Sequence, residues 1–73
     1  MNPAQLRQKQ VYDATVVAGI KQACDRARRE RKPVIVWGNG KMVWVRIASE
    51  GVPPGAKAIG EANYPGVWKA AES

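Results

Sequence analysis

The chain has 73 residues, a net charge of +6 from twelve Lys plus Arg against six Asp plus Glu, and no histidine. A chain this short forms one small domain that buries only about 60% of its unfolded surface, so it depends on tight packing or on a partner. Cys24 is the only cysteine, which excludes an internal disulfide and, with histidine absent, a zinc site of the Cys/His type.

Within an apolar helical pattern, Cys24 reads as a small buried hydrophobe and fits a reducing, cytoplasmic compartment. The start Met1-Asn2-Pro3 shows no basic stretch followed by an apolar one, and no apolar run approaches the ~20 residues that span a bilayer, so no membrane segment is expected. A basic balance of this size suits nucleic acid, an acidic protein or an anionic surface equally.

Asn2 and Pro3 form an N-cap and N1 pair able to open a helix. From Gln5 to Gln10 only Leu6 is apolar, so residues 1–12 are helix-compatible but weakly anchored and are expected to fray. The main helix is expected over 13–32, with Asp13 as its cap. Val16, Val17, Ile20, Ala23, Cys24 and Ala27 recur at spacings of three and four and define an apolar stripe opposite Lys21, Gln22, Asp25, Arg28 and Arg29. Gly19 weakens this helix by ~1 kcal/mol relative to Ala, yet Ala18, Gly19, Ala23 and Ala27 let another element come close. The β-branched Thr15-Val16-Val17 makes a strand over Ala14 to Ala18 the competing reading. Pro33 stops the helix near Arg31.

Residues 33–48 read as a β-hairpin turning at Asn39-Gly40, the strongest short-range hairpin signal. A type I′ turn there would set Gly38 opposite Lys41, Trp37 opposite Met42, Val36 opposite Val43, Ile35 opposite Trp44 and Val34 opposite Val45. Alternation then gives one face to Val34, Val36, Val43, Val45 and Ile47, and the other to Ile35, Trp37, Met42, Trp44 and Arg46. Residues 49–73 form a loop-rich tail. Consecutive Pro53 and Pro54 force Ala48 to Gly55 to turn or run extended. Ala56 to Ala62 fits one or two helical turns broken at Gly60, Asn63-Tyr64-Pro65-Gly66 is a turn, and Val67 to Glu72 fits a short terminal helix. The expected architecture is therefore α+β: one main helix packed on a two-stranded antiparallel β-hairpin, with a C-terminal tail containing short helical segments.

One helix roofs only one face of such a hairpin. The valine face suits the small-residue stripe, which leaves Ile35, Trp37, Met42, Trp44 and Arg46 to be covered by Tyr64 and Trp68 of the tail or by a partner. Trp, Met and Arg are enriched at interface cores, so the leading functional expectation is a non-enzymatic binding or assembly module that uses this face for self-association or a protein partner. Edge pairing between two hairpins is a further route to a dimer.

The alternative is a nucleic-acid surface built from Arg26, Arg28, Arg29, Arg31, Lys32 and Lys41, with Arg46 beside the tryptophans as stacking platforms. Its plain structural counterpart is a cationic helix C-terminus that complements the macrodipole, with Asp25 and Glu30 pairing to Arg29 and Arg26. No cofactor, metal or catalytic residue is expected: the carboxylates stand singly, and Gly38-Asn39-Gly40-Lys41 feeds a strand, where a phosphate-binding loop feeds a helix.

The order of a helix, a basic linker, Lys32-Pro33-Val34-Ile35-Val36 and Asn39-Gly40-Lys41-Met42-Val43 resembles the helix-hairpin half of the Phd/YefM antitoxins, small dimeric proteins that bind operator DNA and a toxin. The resemblance spans about a third of the chain and implies a dimer. It ends at the flanks: that family opens with a strand where this chain has Asn2 to Gln10, and it carries a helical tail where this one has Gly51 to Gly55.

Overall fold

The computed structural model describes residues 2–71. In chain order its elements are α1 (Pro3–Glu30), β1 (Val34–Gly38), β2 (Val43–Ile47), one 3-10 turn (Ala48–Glu50), β3 (Lys57–Asn63) and β4 (Val67–Ala70). The α+β class is as expected, but the two-stranded hairpin is not: all strands join one four-stranded antiparallel sheet in the order β2-β1-β3-β4.

α1 starts ten positions ahead of the expected Asp13. The Asn2 side chain accepts the Gln5 N–H at 2.8 Å, the Gln5 side chain accepts the Asn2 N–H at 3.3 Å, and Pro3 occupies N1. This reciprocal cap satisfies donors that would otherwise fray the first turn. Asp13 is accordingly interior, and Ala14 to Ala18 is helix and not strand. The helix ends at Glu30, one residue before the expected stop, with Arg31 left-handed at φ 55° and its N–H donated to Ala27 O at 2.9 Å. Gly19, Ala23 and Ala27 are its buried residues, flanked by half-buried Val16, Ile20 and Cys24; Val17 lies off the stripe, 67% exposed. A Cβ on Gly19 would stand 3.0 Å from Val43 Cγ1, so the missing side chain is what lets helix and sheet approach.

β1 and β2 do reverse at Asn39, in a different register. The pairs are Gly38 with Val43, Trp37 with Trp44, Val36 with Val45, Ile35 with Arg46 and Val34 with Ile47. Asn39 takes the first position of the turn, where its side chain accepts the N–H groups of Lys41 (2.9 Å) and Met42 (2.7 Å) and its own N–H bonds Met42 O (3.2 Å). Only Gly40 has positive φ, +90°, so the expected type I′ turn is not formed. The pairing shifts by two residues, and because side chains alternate with a period of two, every strand residue keeps its expected face. Met42 alone leaves its expected place, for the turn.

The tail is sheet, not helix. Ala56 to Ala62, expected as helical turns, contributes β3, which pairs along the free edge of β1; Val67 onward, expected as a terminal helix, is β4. Glu72, like Met1 and Ser73, lies outside the described residues. Tyr64-Pro65-Gly66 makes the expected turn, with a cis Tyr64–Pro65 peptide and Gly66 N–H on Asn63 O at 2.7 Å. A bulge between Val36 and Trp37 turns Ile59 to the helix side, where it joins the core of Ala23, Ala27, Val34, Val36 and Ala62 with Cys24, Val43, Val45, Ile47 and Trp68. Trp68 thus packs on the valine side and not over Trp37 and Trp44.

β2 and β3 lie on either side of β1 and run in the same direction. Residues 48–56 must therefore climb from the foot of β2 to the head of β3 across β1. The valine side is filled by α1, so this connection crosses the side carrying Ile35 and Trp37. Pro53, midway along it, is buried. The second face of the hairpin is thus roofed in part by a proline strap.

Candidate functional site

Across the strapped side, the register sets Arg46, Ile35, Glu61 and Lys69 in one row and Trp44, Trp37 and Ala58 in the next. Ile35, Trp37, Trp44 and Arg46 are each half-buried. A shallow depression is lined by Ile35, Ala58, Glu61, Lys69 and Ala71. Of the five residues expected to form a partner surface, four share this side; Met42 stands apart in the turn, 55% exposed. An aromatic pair half-covered from within the chain is in large part an internal packing layer.

The expected nucleic-acid set is not brought together. Arg26 is held at the edge of β2: its Nε is 2.6 Å from Glu30, its Nη2 is 3.4 Å from Glu50, and its Nη1 reaches Val45 O at 3.5 Å. Glu50 in turn accepts the Ile47 N–H at 2.8 Å. The hydrogen bond from Glu30 raises the Arg26 pKa above its ordinary value, with partial desolvation opposing it. Arg28 faces Asp25 at 3.5 Å, and the Arg31 guanidinium lies 5.4 Å from the centroid of the Tyr64 ring. Arg29 and Lys32 are exposed beside them. Arg46 is on the far side of the sheet, and Lys41 is at the opposite end of the molecule, in the β1–β2 turn. The cations gathered at the C-terminal end of α1 therefore share their space with Asp25, Glu30 and Glu50.

The N-terminal end of α1 is different. A helix of 28 residues is about 42 Å long at 1.5 Å per residue, whereas strands of five residues reach only ~17 Å. Tyr12 is the first helix residue seated on the sheet, its hydroxyl over Gly38; before it, every residue from Pro3 to Val11 is exposed. This overhang carries Arg7, Lys9, Gln8 and Gln10, with Leu6 48% and Val11 63% exposed. Ala4, Arg7, Gln8, Val11 and Tyr12 line a depression shared with Gly40 and Lys41 of the turn. From Asn2 to Tyr12 there is no carboxylate, and none between Lys32 and Ser49. Arg7 and Lys9 were not among the residues expected at a site. The signal that could have found them is Asn2 with Gln5 three residues on, which marks a firm helix start where no core-facing stripe follows.

The geometry therefore offers an acid-free basic overhang at one end, a basic cluster partly offset by three acids at the other, and an aromatic layer under a strap between them. No protein-family model, curated protein or solved structure matches the chain.

Proposed function

We propose that this chain is a non-enzymatic binding module of the cytoplasm whose working surface is the overhanging first part of α1 together with the β1–β2 turn. The observation that carries this reading is that Pro3 to Val11 are helical, capped and exposed throughout. An isolated helical stretch this short is marginal in water, so a cap that extends it past its own sheet, with exposed Leu6 and Val11, fits a segment kept for an external contact. Asp25, Glu30 and Glu50 are engaged with Arg26 and Arg28, a role in packing and not in proton transfer. The single half-buried Cys24 supports the reducing compartment.

Contact through the aromatic face, as self-association or with a protein partner, is confined on this reading to the shallow depression at Ile35, Glu61 and Lys69. In-cell photo-crosslinking separates the two surfaces. A benzophenone side chain placed at position 9 is expected to give a discrete adduct, and one at position 44 or 29 to give none. An adduct from position 44 with none from position 9 overturns the reading in favour of the sheet face.

A further inference from the structure

We propose that the overhanging part of α1 enters the major groove of B-form DNA, with Lys41 of the β1–β2 turn set against a flanking phosphate. This rests on the reading of that end as the binding surface and names its ligand.

Shape comes first. A helix with its side chains is about 10–12 Å across and the major groove about 12 Å wide, so a helix can lie in the groove only if its flanks are free. The seated part of α1 fails this condition; Pro3 to Val11 are all exposed, with the flank of Ala4, Arg7, Gln8 and Val11 bordering the β1–β2 turn and the remainder open. The side chains supply the second argument. Gln5 is committed to the cap, but Arg7 and Lys9 lie about 200° apart around the helix, at about 100° per residue, and so suit the phosphates on the two walls of the groove, with the Gln8 and Gln10 carboxamides as neutral, sequence-tolerant hydrogen-bonding groups. Charge supplies the third. Arg7, Lys9 and Lys41 face a single nearby acid, Asp13, one turn beyond Lys9 and in no ion pair with it, so their field on a polyanion is less offset than that around Arg26, where Glu30 and Glu50 pair directly with the guanidinium.

The same facts oppose a second copy as the occupant. Pairing two overhangs sets Arg7, Lys9 and Lys41 against their own kind. A contact limited to residues 3–11 also falls well short of the roughly 800 Å2 per partner of an ordinary stable interface. Double-stranded RNA is disfavoured because its major groove is too deep and narrow for side chains to read.

The test is fluorescence anisotropy with a short labelled DNA duplex across a salt series, with the matching RNA duplex and polyglutamate as the other arms. Sequence-independent binding is expected at a dissociation constant of about 10⁻⁶–10⁻⁴ M at physiological salt, with log affinity falling against log salt at a slope near −3 for about three phosphate contacts. Arg7→Ala and Lys9→Ala should each reduce that slope by about one, while Arg29→Ala at the far end leaves it unchanged. Circular dichroism confirms that these exposed-site variants keep the fold. Absence of DNA binding at the lowest salt overturns the proposal, as do a slope indifferent to Arg7 and Lys9 and equal affinity for the RNA duplex. Polyglutamate binding that needs Arg7 and Lys9 while DNA does not bind removes the ligand and leaves the binding end standing, whereas an adduct from position 44 in place of position 9 removes both.

Discussion

The two parts of α1 follow opposite rules. From Tyr12 to Ala27 the helix is built from what it lacks: Gly19, Ala23 and Ala27 have almost no side chain, and that bareness brings the backbone down onto Val36, Val43 and Val45. From Pro3 to Val11 it is built from what it displays, and only the Asn2 and Gln5 cap maintains it. One continuous helix can thus be a structural roof over half its length and a free surface over the rest. Helix propensity does not separate the two parts; the small apolar stripe, confined to the seated one, goes with what lies beneath. What separates them is the length of the sheet beneath.

The sharpest way to break this contrast is to give the seated part a side chain. Ala23 is fully buried, and Ala23→Leu inserts three carbons where helix and sheet touch. Overpacking of this kind costs about 3 kcal/mol, a fall of roughly 12–24 °C in midpoint for a domain this size. Thermal denaturation followed by circular dichroism reads it. A loss below about 1 kcal/mol would mean that the helix rides higher on the sheet than described and that the small-residue contact is not what seats it.

The seated part was legible in the sequence because small residues and β-branched residues, each at their own period, have one economical arrangement: a smooth stripe on a smooth strand pair. The hairpin faces were legible for a similar reason. Asn39 acts through its side chain and not through a left-handed backbone, which moved the register, but by an even number of residues, so Val36 still meets the helix and Trp37 still lies opposite. The tail was not legible. Ala58, Gly60 and Ala62 carry no strand signal; the bareness of Gly60 answers to the Trp68 indole, with which a Cβ there would collide, and the strand itself to the free edge of β1, which needs a hydrogen-bonding neighbour whatever the propensity. Nor was the cover of the second face legible, since it depends on β3 pairing with β1, which forces 48–56 across the sheet. The overhang was missed because Gln5 to Gln10 lack periodicity, and absence of a buried face was taken as absence of order. The set from Arg26 to Lys32 failed for want of information on the acids: Glu50 is distant in sequence but lies 3.4 Å from Arg26.

Two smaller perturbations test what holds the platform under the seated helix. Pro53→Ala removes buried apolar surface from the strap and loosens the unfolded chain, together about 2 kcal/mol. Tryptophan emission should shift to the red as Trp37 and Trp44 gain water. An unshifted spectrum would mean that the strap does not cover them. Asn39→Ala removes the acceptor for two turn N–H groups and should cost about 1 kcal/mol, read as a lowered urea midpoint at an unchanged m-value. A change in m-value would mean instead that the turn sets the register of the whole sheet.

The smallest expected effect on global stability separates the two parts of α1 most cleanly. Asn2→Ala deletes the cap, which for a helix end costs about 1 kcal/mol. In a helix seated along its whole length that amount would be lost from the fold as a unit. Here Pro3 to Val11 bury no residue against the sheet and only border the β1–β2 turn, so the loss stays local: the overhang opens more often while Tyr12 to Ala27 remain clamped by Val36 and Val43. Hydrogen exchange should therefore quicken about fivefold over residues 6–11, by the factor that 1 kcal/mol represents, with exchange at Ala23 and Ala27 and the thermal midpoint unmoved. A midpoint that falls with the cap would show that the overhang is coupled to the core and is not a separate working surface. Quickened exchange at an unmoved midpoint would establish that this chain maintains, at its own cost in conformational entropy, a helical segment its fold does not need.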